Sequence, residues 1–348
     1  MTPRRAVHAI AFLFIPALIT GCLDVETTTT LNRDGSVRRA YGITGDSAAV
    51  YGGRYTVALD STWSQNIRNV GDQKFELTAT KAFANAEALN AEVNGTPGRT
   101  LMFTVSVDES FQWFTSLLTY RETVHRFQPI NEVPITDYIS QSEIERFIEH
   151  EVLKEPFATT GDSLSLDDAS DRFEEWNSRN IFAAYYKIFL DGVRELNDAS
   201  LSTDYVESRK DTLYAVFSHI DAKQEDAQRR AFENLLDRKG AGEVYRIKST
   251  EFDHLAQQLE FVDEVSANTY RTSVIMPGII VDTNAPSLEG NRAEWKDYMG
   301  VAYVQDFEMW VTSEVVNWWA IIVTAVLILG GFALLVLATI RRRSRRPA

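Results

Sequence analysis

The sequence predicts a mixed α+β fold. We expect a β-rich, membrane-proximal domain that is built from N- and C-terminal parts, interrupted by an all-α helical insertion, and followed by one C-terminal transmembrane helix. Three observations predict this arrangement. Segments of β-prone residues with alternating polarity lie on both sides of the middle region. The middle region has apolar residues at helical spacing, and a long uncharged apolar run lies near the C-terminus.

The chain begins with a predicted export signal over residues 1–21. Arg4 and Arg5 give it a positive start, and the apolar stretch from Ala9 to Thr20 is too short to span a bilayer. These features are typical of a segment that directs export and is then removed.

Cys22 is predicted to carry a lipid. The residues from Ile19 to Cys22 resemble a bacterial lipobox, which implies cleavage between Gly21 and Cys22 and acylation of Cys22, for example with palmitate. Cys22 is the only cysteine among 348 residues. Acylation would account for an unpaired thiol in an exported protein.

The first part of the β-rich domain is predicted over residues 22–128. Val25–Leu31 and Val37–Ile43 flank Arg33-Asp34-Gly35, and an Asp-Gly pair between β-prone segments indicates a hairpin. The remaining predicted elements are a strand at Lys74–Thr80, a helix at Phe83–Val93, and strands at Thr100–Val107 and Trp113–Phe127.

Residues 129–265 are predicted to form the helical insertion. Ser140 and Glu143 have the spacing of a capping box, and Ser165 and Asp168 have the same spacing at the start of a longer apolar stripe. Further helices are predicted at Thr203–Ile220 and Lys223–Lys239.

The second part of the β-rich domain is predicted over residues 266–316. Its strands are expected at Thr269–Met276, Ile279–Asp282, Arg292–Trp295 and Val301–Val311. We expect the strand after Cys22 to pair with these late strands, which would bring the two ends of the domain together.

Residues 317–340 are predicted to span a membrane. The run from Trp318 to Ile340 has no charged residue and is long enough to cross a hydrocarbon core of about 30 Å. Trp318 and Trp319 are predicted interface anchors at its start, and Arg341, Arg342 and Arg343 anchor its end in a basic tail, residues 341–348. The positive-inside rule places this tail in the cytoplasm and the ectodomain outside the cell membrane of a bacterium, the inner one if there are two.

The exported part is strongly acidic. The whole chain has a formal charge of −14, and seven arginines lie in the signal and the tail, which leaves −21 on the exported part. Such a surface repels nucleic acid and anionic lipid headgroups, so neither is a predicted direct partner for most of it. The predicted partners are the membrane lipid bilayer that holds the anchors and a lipid-like ligand or an envelope protein next to it.

Several turn and core residues resemble the LppM-type lipoprotein domain of bacteria. They are Asp34 in the first hairpin, Phe83, Glu87 and Leu89 in the short helix, the block Thr272–Gly278, Thr283-Asn284, and Trp295. The resemblance implies an α+β domain on the outer face of the membrane with a role in handling lipids or lipoglycans. It implies no catalytic residue, and the helical insertion is a departure from the compact members of that family.

No catalytic or metal site is predicted, and no cofactor. Gly161-Asp162-Ser163-Leu164 resembles the nucleophile block of the GDSL hydrolases, with His254 as the candidate base. However, no apolar strand precedes the block, and Glu251 replaces the expected aspartate three residues before His254. The histidines outside the signal are scattered and lack the pair spacing of a metal site.

Two functions remain open from the sequence. The favoured one is a non-enzymatic envelope lipoprotein, anchored at both ends, that binds a lipid-like ligand or a protein partner at the membrane surface. The alternative is an envelope hydrolase acting on glycan, peptide or ester bonds, through a carboxylate pair or a Ser/His site that sequence spacing does not reveal. A set of aromatic residues, including Phe111, Trp113, Phe114, Tyr120 and others in the insertion, is a candidate lining for a ligand cavity or a docking groove, or ordinary core.

Overall fold

The computed structural model describes residues 23–53, 55–57, 59–94, 101–154, 160–220, 225–236 and 239–344. These residues form two β-sheets, a helical middle region and a long C-terminal helix. The predicted α+β class is therefore confirmed.

Eleven strands are present in the described residues. They are β1 (Asp24–Leu31), β2 (Val37–Asp46), β3 (Ser64–Gly71), β4 (Lys74–Phe83), β5 (Phe103–Gln112), β6 (Thr115–Val124), β7 (Thr269–Ile275), β8 (Ile279–Thr283), β9 (Ser287–Glu289), β10 (Arg292–Lys296) and β11 (Phe307–Val316). The larger sheet has the order β3-β4-β2-β1-β7-β10-β9, and the smaller has the order β5-β6-β11-β8. Each sheet thus contains strands from both sides of the helical middle.

The helices in chain order are α1 (Ser47–Tyr51), α2 (Ala86–Val93), α3 (Gln141–Phe147), α4 (Thr160–Leu196), α5 (Thr203–Glu207), α6 (Lys210–Phe217), α7 (Glu225–Leu236), α8 (Lys239–Ile247), α9 (Ser249–Ala267), α10 (Met299–Val304) and α11 (Trp318–Ser344). A 3₁₀ turn at Ile135–Asp137 precedes α3, and a π turn at Ile148–Val152 follows it.

The parallel pairing of β1 with β7 joins the N- and C-terminal parts of the β-rich domain within one sheet. Asp24 lies opposite Thr269, and Thr30 lies opposite Ile275. The predicted pairing of the first strand with a late strand is therefore present. The strand directly before Trp318, however, is β11, which belongs to the smaller sheet and pairs with β6 and β8.

The predicted first hairpin is confirmed. β1 and β2 are antiparallel, with Leu31 opposite Val37. Asp34 Oδ1 accepts a hydrogen bond from the Ser36 amide at 3.0 Å, and Gly35 has a φ of 81°, in the left-handed region that favours glycine. Burying every second residue on β2 fixes its register.

Two predicted elements of the β-rich domain differ from the structure, and β3 was missed. Phe83 ends β4, so the short helix begins only at Ala86, with Asn85 as its cap. The stretch predicted as a strand from Val301 is helical until Val304, and its buried residues pack into the core as α10. β3 was not predicted because its largely exposed sequence, SQNIRNVG, has no apolar alternation.

The helical middle follows its predicted pattern with one error in capping. The Ser140–Glu143 capping box at the start of α3 is confirmed. The second predicted box is wrong, because α4 already begins at Thr160 and Ser165 lies inside it. The predicted helix at Thr203–Ile220 is divided into α5 and α6.

The aromatic residues of the helical middle form its core. Phe182, Tyr185 and Phe189 of α4 are almost fully buried. Their rings contact rings from α6, α7 and α9, with centroid separations of 5.4 Å for Phe182–Phe217, 5.2 Å for Phe189–Phe232 and 4.8 Å for Tyr185–Phe252. These aromatic residues are core rather than the lining of an open groove.

Polar contacts join α4 to the segment between β6 and α3 and to α10 of the β-rich domain. Asn180 is fully buried; its Oδ1 accepts hydrogen bonds from the amides of Glu132 and Val133, and its Nδ2 donates to the Ile130 carbonyl, all at 2.9 Å. Tyr303 on α10 donates to Asn177 Oδ1 at 2.8 Å.

A buried ion pair joins the two sheets. Arg39 of β2 donates two hydrogen bonds to Glu122 of β6, at 2.8 and 2.5 Å, and the two side chains are 1% and 0% exposed. Tyr120 donates to Glu122 at 2.6 Å, and Arg39 donates to Thr29 of β1 at 2.5 Å. Burial alone would raise the pKa of Glu122, but the charge and hydrogen bonds of Arg39 outweigh it and lower that pKa.

We predict that removing one partner of this pair destabilises the fold more than removing both. Arg39→Met leaves a buried carboxylate without its counter-charge, which typically costs about 3–5 kcal/mol, whereas Arg39→Met with Glu122→Leu replaces the pair by apolar volume. Denaturant unfolding of the full chain in detergent micelles measures both variants against the wild type.

The pH dependence gives a second readout of the same pair. Because the folded pKa of Glu122 is lowered, its contribution to stability is present above the ordinary carboxyl pKa and is lost as the pH falls through the folded value. The double variant should therefore lose less stability on acidification than the wild type. An Arg39→Met variant as stable as the wild type would contradict the account.

Candidate membrane-anchoring site

The candidate functional site is the junction between β11 and α11. β11 ends at Val316 and α11 begins at Trp318, so a single residue, Asn317, connects them. The segment Trp318–Thr339 has 22 residues, and an 18-residue stretch within it has a mean hydropathy of 2.9. It is the one helix in the described part of the chain that is long and apolar enough to cross a membrane. At about 1.5 Å per residue it is about 33 Å long, which matches a hydrocarbon core of about 30 Å.

The surface of α11 is apolar and uncovered. Large aliphatic and aromatic side chains project from all around the helix, among them Leu327, Leu329 and Phe332, which are about two-thirds exposed. Water-soluble proteins rarely expose an apolar surface of this extent. The exposed side chains of this helix are those expected to face lipid.

Asn317 holds the helix to two turns of the β-rich domain. Its amide donates to the Phe114 carbonyl at 2.8 Å, and its Nδ2 donates to the Gln112 carbonyl and to Ser116 Oγ, both at 3.1 Å. Its Oδ1 accepts a hydrogen bond from Arg33 at 2.9 Å. Asn317 is only 3% exposed, and its bond to Ser116 is buried.

The backbone of Asn317 also starts the helix. Its carbonyl accepts hydrogen bonds from the amides of Ala320 and Ile321, at 3.0 and 3.2 Å. The residue is therefore the N-cap of α11, while its side chain binds the neighbouring β5–β6 and β1–β2 turns. Because the same residue serves both elements, α11 leaves the domain without a flexible linker.

Aromatic rings surround the first turn of α11. We call Phe111, Trp113 and Phe114 of the β5–β6 hairpin the hairpin tip. The Phe111 ring stacks on Trp319 with a centroid separation of 6.0 Å, and Trp113 meets Trp319 edge to face at 5.7 Å. Trp113 Nε1 also donates to Thr324 Oγ1 at 2.9 Å.

The structure describes only some of the residues that the sequence singled out for anchoring. Trp318 and Trp319 are the first residues of α11 and are 65% and 51% exposed. The backbone of α11 includes Arg341, Arg342 and Arg343, but their side chains lie outside what is described, as do Gly21 and Cys22.

Leu23, the residue after Cys22, lies at the end of β1 away from α11. Its amide donates to Asn268 Oδ1 at 2.9 Å, its carbonyl accepts from the Thr269 amide at 2.9 Å, and its side chain is buried. The opposite end of β1 leads to Arg33, which contacts Asn317. With 8 residues, β1 separates these two points by about 26 Å.

The candidate hydrolase residues are not brought together as a described site. Ser163 lies in the first turn of α4, where side chains are not described, and His254 is exposed on α9. Among the described residues, no three His, Cys, Asp or Glu side chains group as metal ligands. The expectation that the chain binds no metal stays a prediction.

One hydrogen-bonded chain has the order of a nucleophile, a base and an acid. Thr104 Oγ1 lies 2.6 Å from His125 Nε2, and His125 Nδ1 lies 3.0 Å from Asp306 Oδ2. The His125 and Asp306 side chains are 38% and 55% exposed. Water therefore solvates the charges that a catalytic site holds in a low-dielectric environment, and the chain is better explained as a link between β5, β6 and the start of β11.

Sequence reasoning missed the role of Asn317 and the contact of Trp113 with Thr324 of α11. A signal for Asn317 was present, because asparagine directly before an apolar helical run is a favoured N-cap. No signal identified its contacts with the β5–β6 and β1–β2 turns, since these residues are more than 200 positions away in the chain.

We predict that Asn317→Ala loosens the junction. The substitution removes three side-chain hydrogen bonds of a buried residue, which should lower the free energy of unfolding by about 1–3 kcal/mol. Thermal unfolding and hydrogen exchange of the full chain in detergent should show a lower midpoint and faster exchange in the β5–β6 turn. Asn69→Ala, near the exposed end of β3, is the matched control, because it removes a side-chain hydrogen bond to the Gly71 amide that is open to water. Unchanged exchange at residues 112–116 would contradict the role given to Asn317.

No protein-family model matches the chain, and no curated protein sequence matches it. The NMR structure of the folded domain of LppM from Mycobacterium tuberculosis is a weak structural match, with a TM-score of 0.28 and 8% sequence identity. The match covers 87% of this chain and 96% of that one. A superposition this loose does not establish a shared fold, so the LppM resemblance stays a prediction.

Proposed function

We propose that the protein is a non-enzymatic lipoprotein of the bacterial cell envelope whose ectodomain acts at the outer surface of the membrane. The observation that carries this proposal is the direct mounting of an uncovered apolar helix on the β-rich domain through Asn317. A domain attached without a linker stays against the bilayer. In this proposal the basic tail of α11 lies in the cytoplasm and Cys22 carries the second anchor.

The position of Leu23 restricts how two anchors enter one bilayer. The lipid on Cys22 would begin about 26 Å from the Arg33–Asn317 contact, measured along β1. Both anchors reach the same membrane only if β1 lies close to the membrane plane. The lipid would therefore set the tilt of the domain, while α11 suffices to retain it.

The edge strands of both sheets support a ligand or partner at the surface. β8 and β9 are edge strands, and their Ile279, Val281 and Leu288 side chains are 75%, 51% and 54% exposed. Exposed apolar side chains on unpaired strand edges are typical of surfaces that another molecule covers. We propose that the exposed apolar side chains of these two edge strands bind the lipid-like ligand or the envelope protein expected from the sequence.

Gly278 keeps β8 close to β11. Its φ is 87°, and a Cβ atom at this position would lie 2.1 Å from the Glu314 carbonyl oxygen. Only glycine allows the approach, so the Pro277-Gly278 turn fixes Ile279 beside Glu314.

We predict that Cys22→Ala abolishes acyl labelling while the protein stays in the membrane. The lipid needs the thiol, whereas α11 holds the chain by itself because its apolar segment spans the bilayer. Metabolic labelling with an alkyne fatty acid and carbonate extraction of membranes measure the two properties. Labelling that persists would contradict lipidation at Cys22, and release from the membrane would contradict the span of α11.

We predict that a lipid co-purifies with the detergent-solubilised full chain. The Ile279→Asp, Val281→Asp double variant should lose this lipid, because charges at these exposed positions of β8 oppose an apolar ligand. Native mass spectrometry and lipid extraction measure retention, and Val70→Asp, on an exposed position of β3, is the control. A wild-type protein that carries no lipid would contradict the proposal of a lipid ligand.

The proposal of a protein partner is tested by photo-crosslinking from position 281 in cells. Absence of a discrete crosslinked adduct would contradict it.

A further inference from the structure

The hairpin tip is an aromatic surface next to the membrane helix. Phe111, Trp113 and Phe114 are 54%, 48% and 50% exposed. Other aromatic residues on the strands of the smaller sheet, such as Tyr120 and Phe307, are buried between the sheets. The three rings thus project away from the core at the point where α11 leaves the domain.

The contact with Thr324 gives the depth of the hairpin tip. Trp113 Nε1 donates to Thr324 Oγ1 at 2.9 Å, and Thr324 lies six residues beyond Trp318 on α11. Six residues of α-helix advance about 9 Å. If Trp318 marks the start of the span, the Trp113 ring lies beside a part of α11 that is already within the membrane.

Three polar groups of the turn are paired within the protein. The carbonyls of Gln112 and Phe114 accept hydrogen bonds from the side chain and the amide of Asn317. The Trp113 ring nitrogen is paired with Thr324. Since unpaired polar groups make a turn costly to place in lipid, these three contacts lower the cost of insertion.

The side chains also match the interfacial region of a bilayer. Tryptophan is favoured there because its ring is apolar and its N–H is polar, and fully burying a phenylalanine side chain is worth about 1.5–3 kcal/mol. The exported part is strongly acidic, so attraction to anionic headgroups does not supply the contact. Apolar insertion does.

We infer that the hairpin tip is a lipid-insertion site, with Phe111, Trp113 and Phe114 placed in the extracytoplasmic leaflet of the bilayer that α11 spans. Its ligand is the interfacial and upper acyl region of the surrounding phospholipids. The inference rests on the proposed span of α11 and is independent of lipidation at Cys22. The site gives the domain a second protein contact with the membrane and limits its rotation about α11.

Depth-dependent quenching tests the insertion. In a Cys22→Ala background, the full chain is prepared with one cysteine at a time, Phe114→Cys at the hairpin tip, Ser106→Cys on β5, or Val326→Cys on α11. Each is labelled with the environment-sensitive dye NBD and reconstituted in phosphatidylcholine vesicles, with and without phosphatidylglycerol. Nitroxide-labelled lipids then report contact with the bilayer.

The expected result is a blue-shifted emission and loss of most fluorescence at positions 114 and 326, with little change at the exposed position 106. The two vesicle compositions should give the same result, because the contact is apolar. A label at 114 that stays unquenched while 326 is quenched overturns the insertion and leaves the span intact. Absence of quenching at 326 overturns the span and the insertion together.

Discussion

Asn317 fixes the relation between the soluble domain and the membrane helix. It is one buried residue that caps α11 with its backbone carbonyl and binds two turns of the β-rich domain with its side chain. A helix joined through a mobile linker would leave the domain free to tumble above the bilayer. A helix capped by a residue of the domain makes the two parts one body, so the position of α11 in the membrane determines which surfaces meet lipid.

The orientation is transmitted into the domain through the pairing of its strands. β11 leads directly into α11 and lies beside β6 along its whole length. Glu122 of β6 forms an ion pair with Arg39 of β2, and β2 pairs with β1. The ion pair therefore connects the smaller sheet, which leads into α11, to the larger sheet. Leu23, next to β1, is hydrogen-bonded to Asn268 and Thr269 at the start of β7, so it is held at a defined distance from the helix.

Two consequences for the membrane surface follow from this chain of contacts. The hairpin tip is placed beside the first turns of α11, where it meets lipid. Leu23 lies about 26 Å along β1 from the Arg33–Asn317 contact. A lipid on Cys22 would therefore set the tilt of the domain, while α11 retains the domain at the membrane.

Local patterns were enough to predict most of the architecture. The alternation in Val37–Ile43, the Asp-Gly turn and the apolar run after Trp318 predicted β2, the first hairpin and α11. The pattern failed where it was absent or ambiguous. β3 is an exposed strand with a polar sequence, and the β-prone residues Val301–Val304 form α10 because their burial in the core outweighs their propensity.

The contacts that define the site lie beyond local patterns. The Arg39–Glu122 pair depends on how two sheets face each other, and the bonds of Asn317 depend on turns far away in the chain. The aromatic residues illustrate the same limit. Composition gave one set, whereas the structure divides it into a buried core, exemplified by Phe189, and the exposed hairpin tip.

The rigid mounting of the domain on α11 is the central claim, and an electron–electron distance measurement tests it most directly. Spin labels at Ser106→Cys on β5 and Val326→Cys on α11, in the Cys22→Ala full chain in nanodiscs, report the spread of distances between domain and helix. The account predicts one narrow distribution, which becomes broad when Gly-Gly-Ser is inserted between Asn317 and Trp318. A distribution in the native sequence as broad as that of the insertion variant would contradict it.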